Sequence, residues 1–237
     1  MDKITQKICG DVVEQYKQDK NVLGILLFGS VARRKSDQYS DVDIFILLRK
    51  KGKISRSNFV ANGLCVDVIF NFLKEAKTYL ERDKGGVRRI TSHMLAHGEV
   101  LFERGKMLKK MQRTAQENLM LKTVYRAEEV LMHKYSIDDF WGEVQRDLKK
   151  RDFLAFGMDS QLLVGNILEL FLKLHGEFLR QPNEMGNLLE KADKRFFNLL
   201  EDFYRMGSDQ EKKAILAKLV EYIYEKSGGP LPEKWIL

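Results

Sequence analysis

The spacing of apolar positions changes character near residue 104. Before it, short apolar runs alternate with helical patterns. Ile4, Ile8, Val12 and Tyr16 recur every fourth residue and predict a helix over 2–19. "NVLGILLF" (21–28) and "DVDIFILL" (41–48) are nearly continuous apolar runs, as expected of strands buried on both faces. "NFVA" and "LCVDVIF" flank Asn62-Gly63, a dipeptide that accepts the positive φ angles of a type I′ turn, so 58–70 reads as a hairpin. Residues 72–83 and 86–97 read as helices, and "EVLFE" (99–103) as a last strand.

After Gly105 the period is helical throughout. Leu163, Ile167, Leu170, Phe171, Leu174 and Phe178 fall on one helical face. Leu189, Ala192, Phe196, Leu199 and Phe203 make a second stripe, and Leu216, Leu219 and Ile223 a third. These stripes read as the core of a helix bundle. The pattern divides the chain into an α+β domain over 1–104 and a helical domain over 105–237, with an active site expected in the cleft between them.

Composition narrows the setting. At 237 residues and 44% apolar content the chain can bury a sizeable core. No apolar run reaches the roughly 18 residues of a membrane span, so no membrane partner is expected. "MDKITQKICG" has no apolar signal-peptide core, and a cytoplasmic protein is expected. Cys9 and Cys65 match no metal or redox spacing and read as reduced structural thiols. The net charge of +7 fits a polyanionic ligand such as a nucleotide or nucleic acid.

The chemistry concentrates in "GSVARRKSDQYSDVDIFILL" (29–48). Asp41 and Asp43 alternate onto one face of a strand start, where two carboxylates repel unless they share a hard divalent cation. Gly29 allows a sharp turn and close ligand approach, and Ser30 is placed to cap a short helix. The free N–H groups of such a turn suit a phosphate. Asp67, inside an apolar strand, is costly if unpaired; a strand beside 41–48 would bring it to the same place, and the alternative is a structural residue in a salt bridge to a neighbouring arginine or lysine. A phosphate cradle beside three aspartates is equipment for phosphoryl or nucleotidyl transfer with two metal ions. Arg33, Arg34 and Lys35 read as an exposed basic turn, with contact to a triphosphate as the alternative. His93 and His97 share a helix face without a zinc pattern. Glu169 and Glu177 flank a helical stripe and read as a solvated face, with one of them a candidate general base as the alternative. The acidic segments "SIDDFWGEVQRD" (136–147) and "LLEDF" (199–203) suit a cationic acceptor or a solvated face.

Gly-Ser, ten residues, then Asp-Val-Asp after a hydrophobic strand resembles the signature of the DNA polymerase β nucleotidyltransferase superfamily. Within it, the stretch is most similar to the minimal bacterial branch and the antibiotic nucleotidyltransferases. Asp67 in "VDVIF" matches the third family carboxylate, and "LAHGEVLFE" (95–103) resembles the end of the family's catalytic domain. The resemblance covers about residues 20–104; the helical half is similar to kanamycin- and lincosamide-type enzymes in arrangement alone. It implies a mixed, twisted sheet flanked by helices, followed by a helical bundle. It implies that Asp41 and Asp43 bind two Mg²⁺ ions, that Asp67 binds the catalytic one and helps deprotonate the acceptor, and that Gly29 and Ser30, with Arg33, hold the nucleotide phosphates. The implied reaction moves a nucleoside monophosphate, most simply AMP from ATP, onto a hydroxyl of a small molecule such as an aminoglycoside or lincosamide, which is antibiotic resistance. The alternatives are transfer to a protein or RNA acceptor, in the manner of an antitoxin, and a nucleotide-binding regulator without catalysis. A homodimer is compatible with either.

Overall fold

The computed structural model describes residues 1–236. Helix α1 (Lys3–Tyr16) starts where Asp2 accepts hydrogen bonds from the Ile4 and Thr5 N–H groups. Strand β1 (Val22–Phe28) runs into the one-turn helix α2 (Gly29–Ala32), and β2 (Val42–Leu48) follows. Strands β3 (Arg56–Ala61) and β4 (Leu64–Phe72) form the expected hairpin, with φ of 50° at Asn62 and 81° at Gly63. Helices α3 (Leu73–Asp83) and α4 (Ile90–Ala96), strand β5 (Glu99–Glu103) and helix α5 (Met107–Met120) complete the first part.

The strands form one mixed sheet in the order β3-β4-β2-β1-β5. Only β2 and β4 pair in parallel; the other pairs are antiparallel. The central strands read as continuous apolar runs because both sheet faces are covered. On one face Ile8, Cys9 and Val12 of α1 pack against Ile25, Ile44 and Val68. On the other, Phe45 and Leu47 meet Leu80 of α3, Leu95 of α4 and Leu108 of α5.

The first compact unit is Met1–Leu121 and the second Lys122–Leu237, the last residue of which lies outside the described residues. The division therefore falls after α5, not near 104 where the composition changes. Two features tie α5 to the sheet. A Cβ on Gly24 of β1 would lie 2.7 Å from Leu108 Cδ2 and 3.1 Å from its Cβ, so the glycine gives α5 room to pack closely. Arg89, 1% exposed, donates to the carbonyls of Gly86, Asn118 and Leu121 at 2.6–2.7 Å. Asn118 in turn donates to the Leu80 carbonyl and to Ser92, and the Ser92 N–H donates to Asp83. This buried polar network links α3, α4 and α5, and a satisfied network of this kind holds its members in one arrangement.

The second unit is all helical among the described residues: α6 (Ala127–Lys150), α7 (Phe153–Leu174), α8 (Pro182–Ala192), α9 (Lys194–Arg205) and α10 (Asp209–Lys226). Arg151, at φ 61°, reverses the chain and Asp152 caps α7, making α6 and α7 a helical hairpin. Phe171 stacks on Phe196 and Tyr222 tilts against both rings, joining α7, α9 and α10. The stripe from Leu189 to Phe203 is two helices rather than one. Asp193, with φ −160°, ends α8 and accepts from the Arg195 and Phe196 N–H groups to start α9. That break turns Leu200 inward in place of Leu199. Phe178 is buried as expected but lies beyond the end of α7, after a reversal at Gly176.

Candidate active site

The parallel pairing of β2 with β4 builds the site. In that register Asp43 is the partner of Asp67, and in the antiparallel pair Asp43 faces Phe28, the last residue of β1. Phe45, Leu47 and Ile69 pack on the α3–α5 side of the sheet. By alternation Asp43 and Asp67 project from that same side, one step beyond the apolar core. Asp41, exposed, precedes β2 at the same end.

The carboxylates crowd one another. Burial, then Asp41 and Asp67, push the Asp43 carboxyl up to about 6, while Arg56 opposes them. Gly29 has φ 75°, and a Cβ there would run into the Asp43 carboxylate. The glycine leaves room for Asp43 itself. Ser30 is the second residue of α2 and does not cap it; Phe28 holds the cap position, and no side chain caps the helix. The capping expectation fails because Gly29, in the left-handed region, already stands as the first residue of α2. Ser30 remains in the first turn, where N–H groups lack intrahelical partners. Arg33 ends α2 and folds back, its Nε donating to the Gly29 carbonyl at 3.4 Å.

Arg56 and Asn58 of β3 complete the site, and neither was expected. Asp67, 8% exposed, accepts from Arg56 Nε at 2.8 Å and from Arg56 Nη2 at 2.6 Å. With its amide nitrogen turned toward the acceptors, Asn58 also donates to Asp67. A signal for Asn58 existed: a two-residue turn at Asn62-Gly63 dictates that Asn58 stands opposite Asp67. Arg56 sits diagonally to Asp67, at a distance long side chains reach. Asp41, Arg56, Asn58, Phe59 and Asp67 are among the residues lining a cavity of about 280 Å³. With Arg56 on Asp67, the three aspartates do not close on one point. Among the described residues, the acidic group with three ligand atoms within 4.8 Å of one another lies in the helical unit.

In the helical unit, Glu169 and Glu177 both lie beside cationic side chains. Glu169 lies 3.6 Å from Lys173 Nζ and 3.9 Å from His133 Nε2, inside a polar knot. Lys173, 8% exposed, donates to Glu129 and to His133 Nε2, both at 3.0 Å. His133 therefore carries its proton on Nδ1 and donates to Asn166. A cavity of about 390 Å³ opens beside Glu128, Glu129, His133, Ser136, Asn166 and Lys173. Glu177 pairs with Arg180. His93 and His97 lie with ring centroids 5.9 Å apart and belong to no metal-ligating cluster among the described residues. No helix among the described residues is long and apolar enough to cross a membrane.

Residues 11–106 match the family described as Polymerase beta, Nucleotidyltransferase. Among solved structures, the chain is similar to a nucleotidyltransferase-like protein from Exiguobacterium sibiricum 255-15. The TM-score is 0.51 at 13% identity, with 94% of this chain and 77% of that chain covered, which is a likeness of fold. No curated protein matches the sequence.

Proposed function

We propose that this chain, whose residues 11–106 form a nucleotidyltransferase domain of the polymerase β superfamily, transfers a nucleoside monophosphate to a small-molecule hydroxyl. ATP is the first choice of donor and Mg²⁺ of metal. The observation that carries this reading is the parallel pairing of Asp43 with Asp67, beside Asp41 and the Gly29 turn.

The donor set fits the metal. All three side chains offer oxygen, the ligand Mg²⁺ prefers. Burial, then the charges of Asp41 and Asp67, raise the Asp43 carboxyl, and a divalent cation would relieve the charge part of that. Asp41 and Asp43 would hold two ions and Asp67 one of them. Mg²⁺ bound there supplies neutralising charge to the triphosphate and acidifies the acceptor hydroxyl.

The chain's own residues do the rest. The first turn of α2, from Gly29 and Ser30, directs N–H groups to the β- and γ-phosphates. Arg33, on leaving the Gly29 carbonyl, adds positive charge at the same end. Asp67 accepts the proton of the acceptor hydroxyl. The acceptor oxygen bonds to the α-phosphorus as the bond from that phosphorus to the bridging oxygen breaks, and pyrophosphate leaves.

An aminoglycoside or lincosamide is the most concrete acceptor. The net charge of +7 favours a second reading, a hydroxyl on RNA or on another protein. Incubation with labelled ATP, CTP, GTP or UTP, Mg²⁺ and an acceptor panel, read by mass spectrometry, decides between them. One added nucleoside monophosphate on a small molecule is the expected result. Label on RNA or protein establishes the second reading, and bound nucleotide with no product overturns both.

A further inference from the structure

The helical unit holds a carboxylate cluster that nucleotidyl transfer, as proposed, does not use. Glu143 and Asp147 are one turn apart on α6, and Asp159 meets them from α7. One oxygen of each lies within 4.8 Å of the other two. The tight reversal at Arg151 brings these positions together across the hairpin.

Asp147 is the informative member. It is 8% exposed, and its Oδ2 is closed to solvent with no hydrogen-bond partner. Arg146 pairs with Glu143, but no lysine or arginine pairs with Asp147 or Asp159 among the described residues. A buried carboxylate oxygen without a donor carries its full desolvation penalty, so a positive charge or a proton has to compensate it. Burial, a hydrogen bond with Asp147, and the charges of Asp147, Glu143 and Asp139 raise the Asp159 carboxyl. A single shared proton would relieve one of these charges and leave the rest crowded.

We propose that Glu143, Asp147 and Asp159 form a binding site for a hard divalent cation, Ca²⁺, Mg²⁺ or Mn²⁺, that clamps α6 to α7. The three ligands are all oxygen, which excludes softer preferences. Their separations lie within the span that two oxygens on one Ca²⁺ can reach, given metal–oxygen distances of about 2.3–2.6 Å. The cation would give Asp147 Oδ2 the partner it lacks. This site is independent of the aspartates on the sheet, and its role is to hold the helical hairpin.

The test uses the full chain carrying Asp41→Asn and Asp43→Asn, so that sheet-site metal does not contribute. Mn²⁺ binding is followed by electron paramagnetic resonance and calorimetry, and melting temperature is measured with and without Ca²⁺, Mg²⁺ or Mn²⁺. Retention of one Mn²⁺ per chain and a cation-dependent rise in melting temperature are expected. Addition of Asp159→Asn, or of the more exposed Glu143→Gln should the first fail to fold, should remove both. Absence of a retained ion together with an unchanged melting temperature would overturn the proposal. So would undiminished Mn²⁺ binding in both added variants. A higher melting temperature in Asp159→Asn without any cation binding would identify a shared proton instead and equally overturn it.

Discussion

Arg56 grips Asp67 with two hydrogen bonds, Nε to Oδ1 at 2.8 Å and Nη2 to Oδ2 at 2.6 Å. The arginine side chain is 63% exposed and the aspartate side chain 12%, so the cation covers a carboxylate that is nearly buried. This bidentate pair engages one acceptor site on each oxygen. A metal ion bound at Asp67, as proposed, would share the carboxylate with the guanidinium or displace it.

That coupling can be measured. Arg56→Ala leaves Asp67 buried without its cation and should lower the melting temperature in metal-free buffer. Mg²⁺ should then stabilise the variant more than it stabilises the wild type, because a ligand stabilises by its affinity for the folded state. Melting curves against Mg²⁺ concentration check this; equal Mg²⁺ stabilisation in both proteins would place the metal away from Asp67.

Asp43 makes metal-free stability depend on pH. Its carboxyl is raised from 3.8 to about 6 in the folded protein. Between those values the folded state binds more protons than the unfolded state, so stability falls as pH rises through that window. Asp43→Asn should flatten this slope, and saturating Mg²⁺ should flatten it in the wild type. Urea titrations between pH 4 and 7 in chelator and in Mg²⁺ provide the check.

Gly29→Ala should damage the site before any nucleotide arrives. A positive φ at a non-glycine residue costs about 1–2 kcal/mol, and the added Cβ would run into the Asp43 carboxylate. Lower stability of the nucleotide-free protein and loss of transfer are expected together. Ser30→Ala, with no cap to lose, should keep its stability and lose only about 1 kcal/mol of triphosphate binding. Parallel melting and nucleotide titrations of the two variants separate the effects.

Asp41→Asn and Asp67→Asn should fail differently. Asp41 is exposed, so its amide variant should fold normally, bind Mg²⁺-triphosphate weakly and show no transfer. Asp67→Asn should keep more of the triphosphate affinity and lose kcat, with kcat and kcat/KM falling together. Single-turnover kinetics alongside nucleotide titration distinguishes them; normal kcat in a merely destabilised Asp67→Asn would remove Asp67 from the chemistry.

Arg89→Met should test how α5 is held. It strands the carbonyls of Gly86, Asn118 and Leu121, all of which Arg89 now satisfies. A loss of about 3–5 kcal/mol is expected, the cost of breaking a buried charged network. Urea unfolding followed in the sheet-bearing unit measures it.

The elements of the sheet-bearing unit were legible in the sequence because each rests on local physics. Continuous apolar runs mark strands covered on both faces, and Asn62-Gly63 selects a turn with two positive φ angles. The same turn sets the β3–β4 register, and Asp41 and Asp43 were visible as charges where a core strand begins. The side-chain partners were not legible in this way. Arg56 reads as one basic residue among many until the sheet places it diagonally to Asp67. The role of Gly29 became clear only with the Asp43 carboxylate beside it.

The helical half shows the same division. Its periodicity determined that it would be helical, since a repeat near four residues is a property of the chain alone. Periodicity does not say which helices pack together or where a stripe breaks, so Asp193 splitting α8 from α9 went unseen. Nor does it assign α5, whose apolar face fits either unit until Gly24 and Arg89 bind it to the sheet. Glu143 and Asp147 read as part of an acidic segment suited to a cationic acceptor or to solvent, and only the packing of α7 over them buried Asp147 and brought Asp159 alongside. Backbone preference and local turn chemistry act within a few residues and are written in sequence order. Burial, register and the meeting of charges depend on segments far apart in the chain, and those the tertiary structure alone decided.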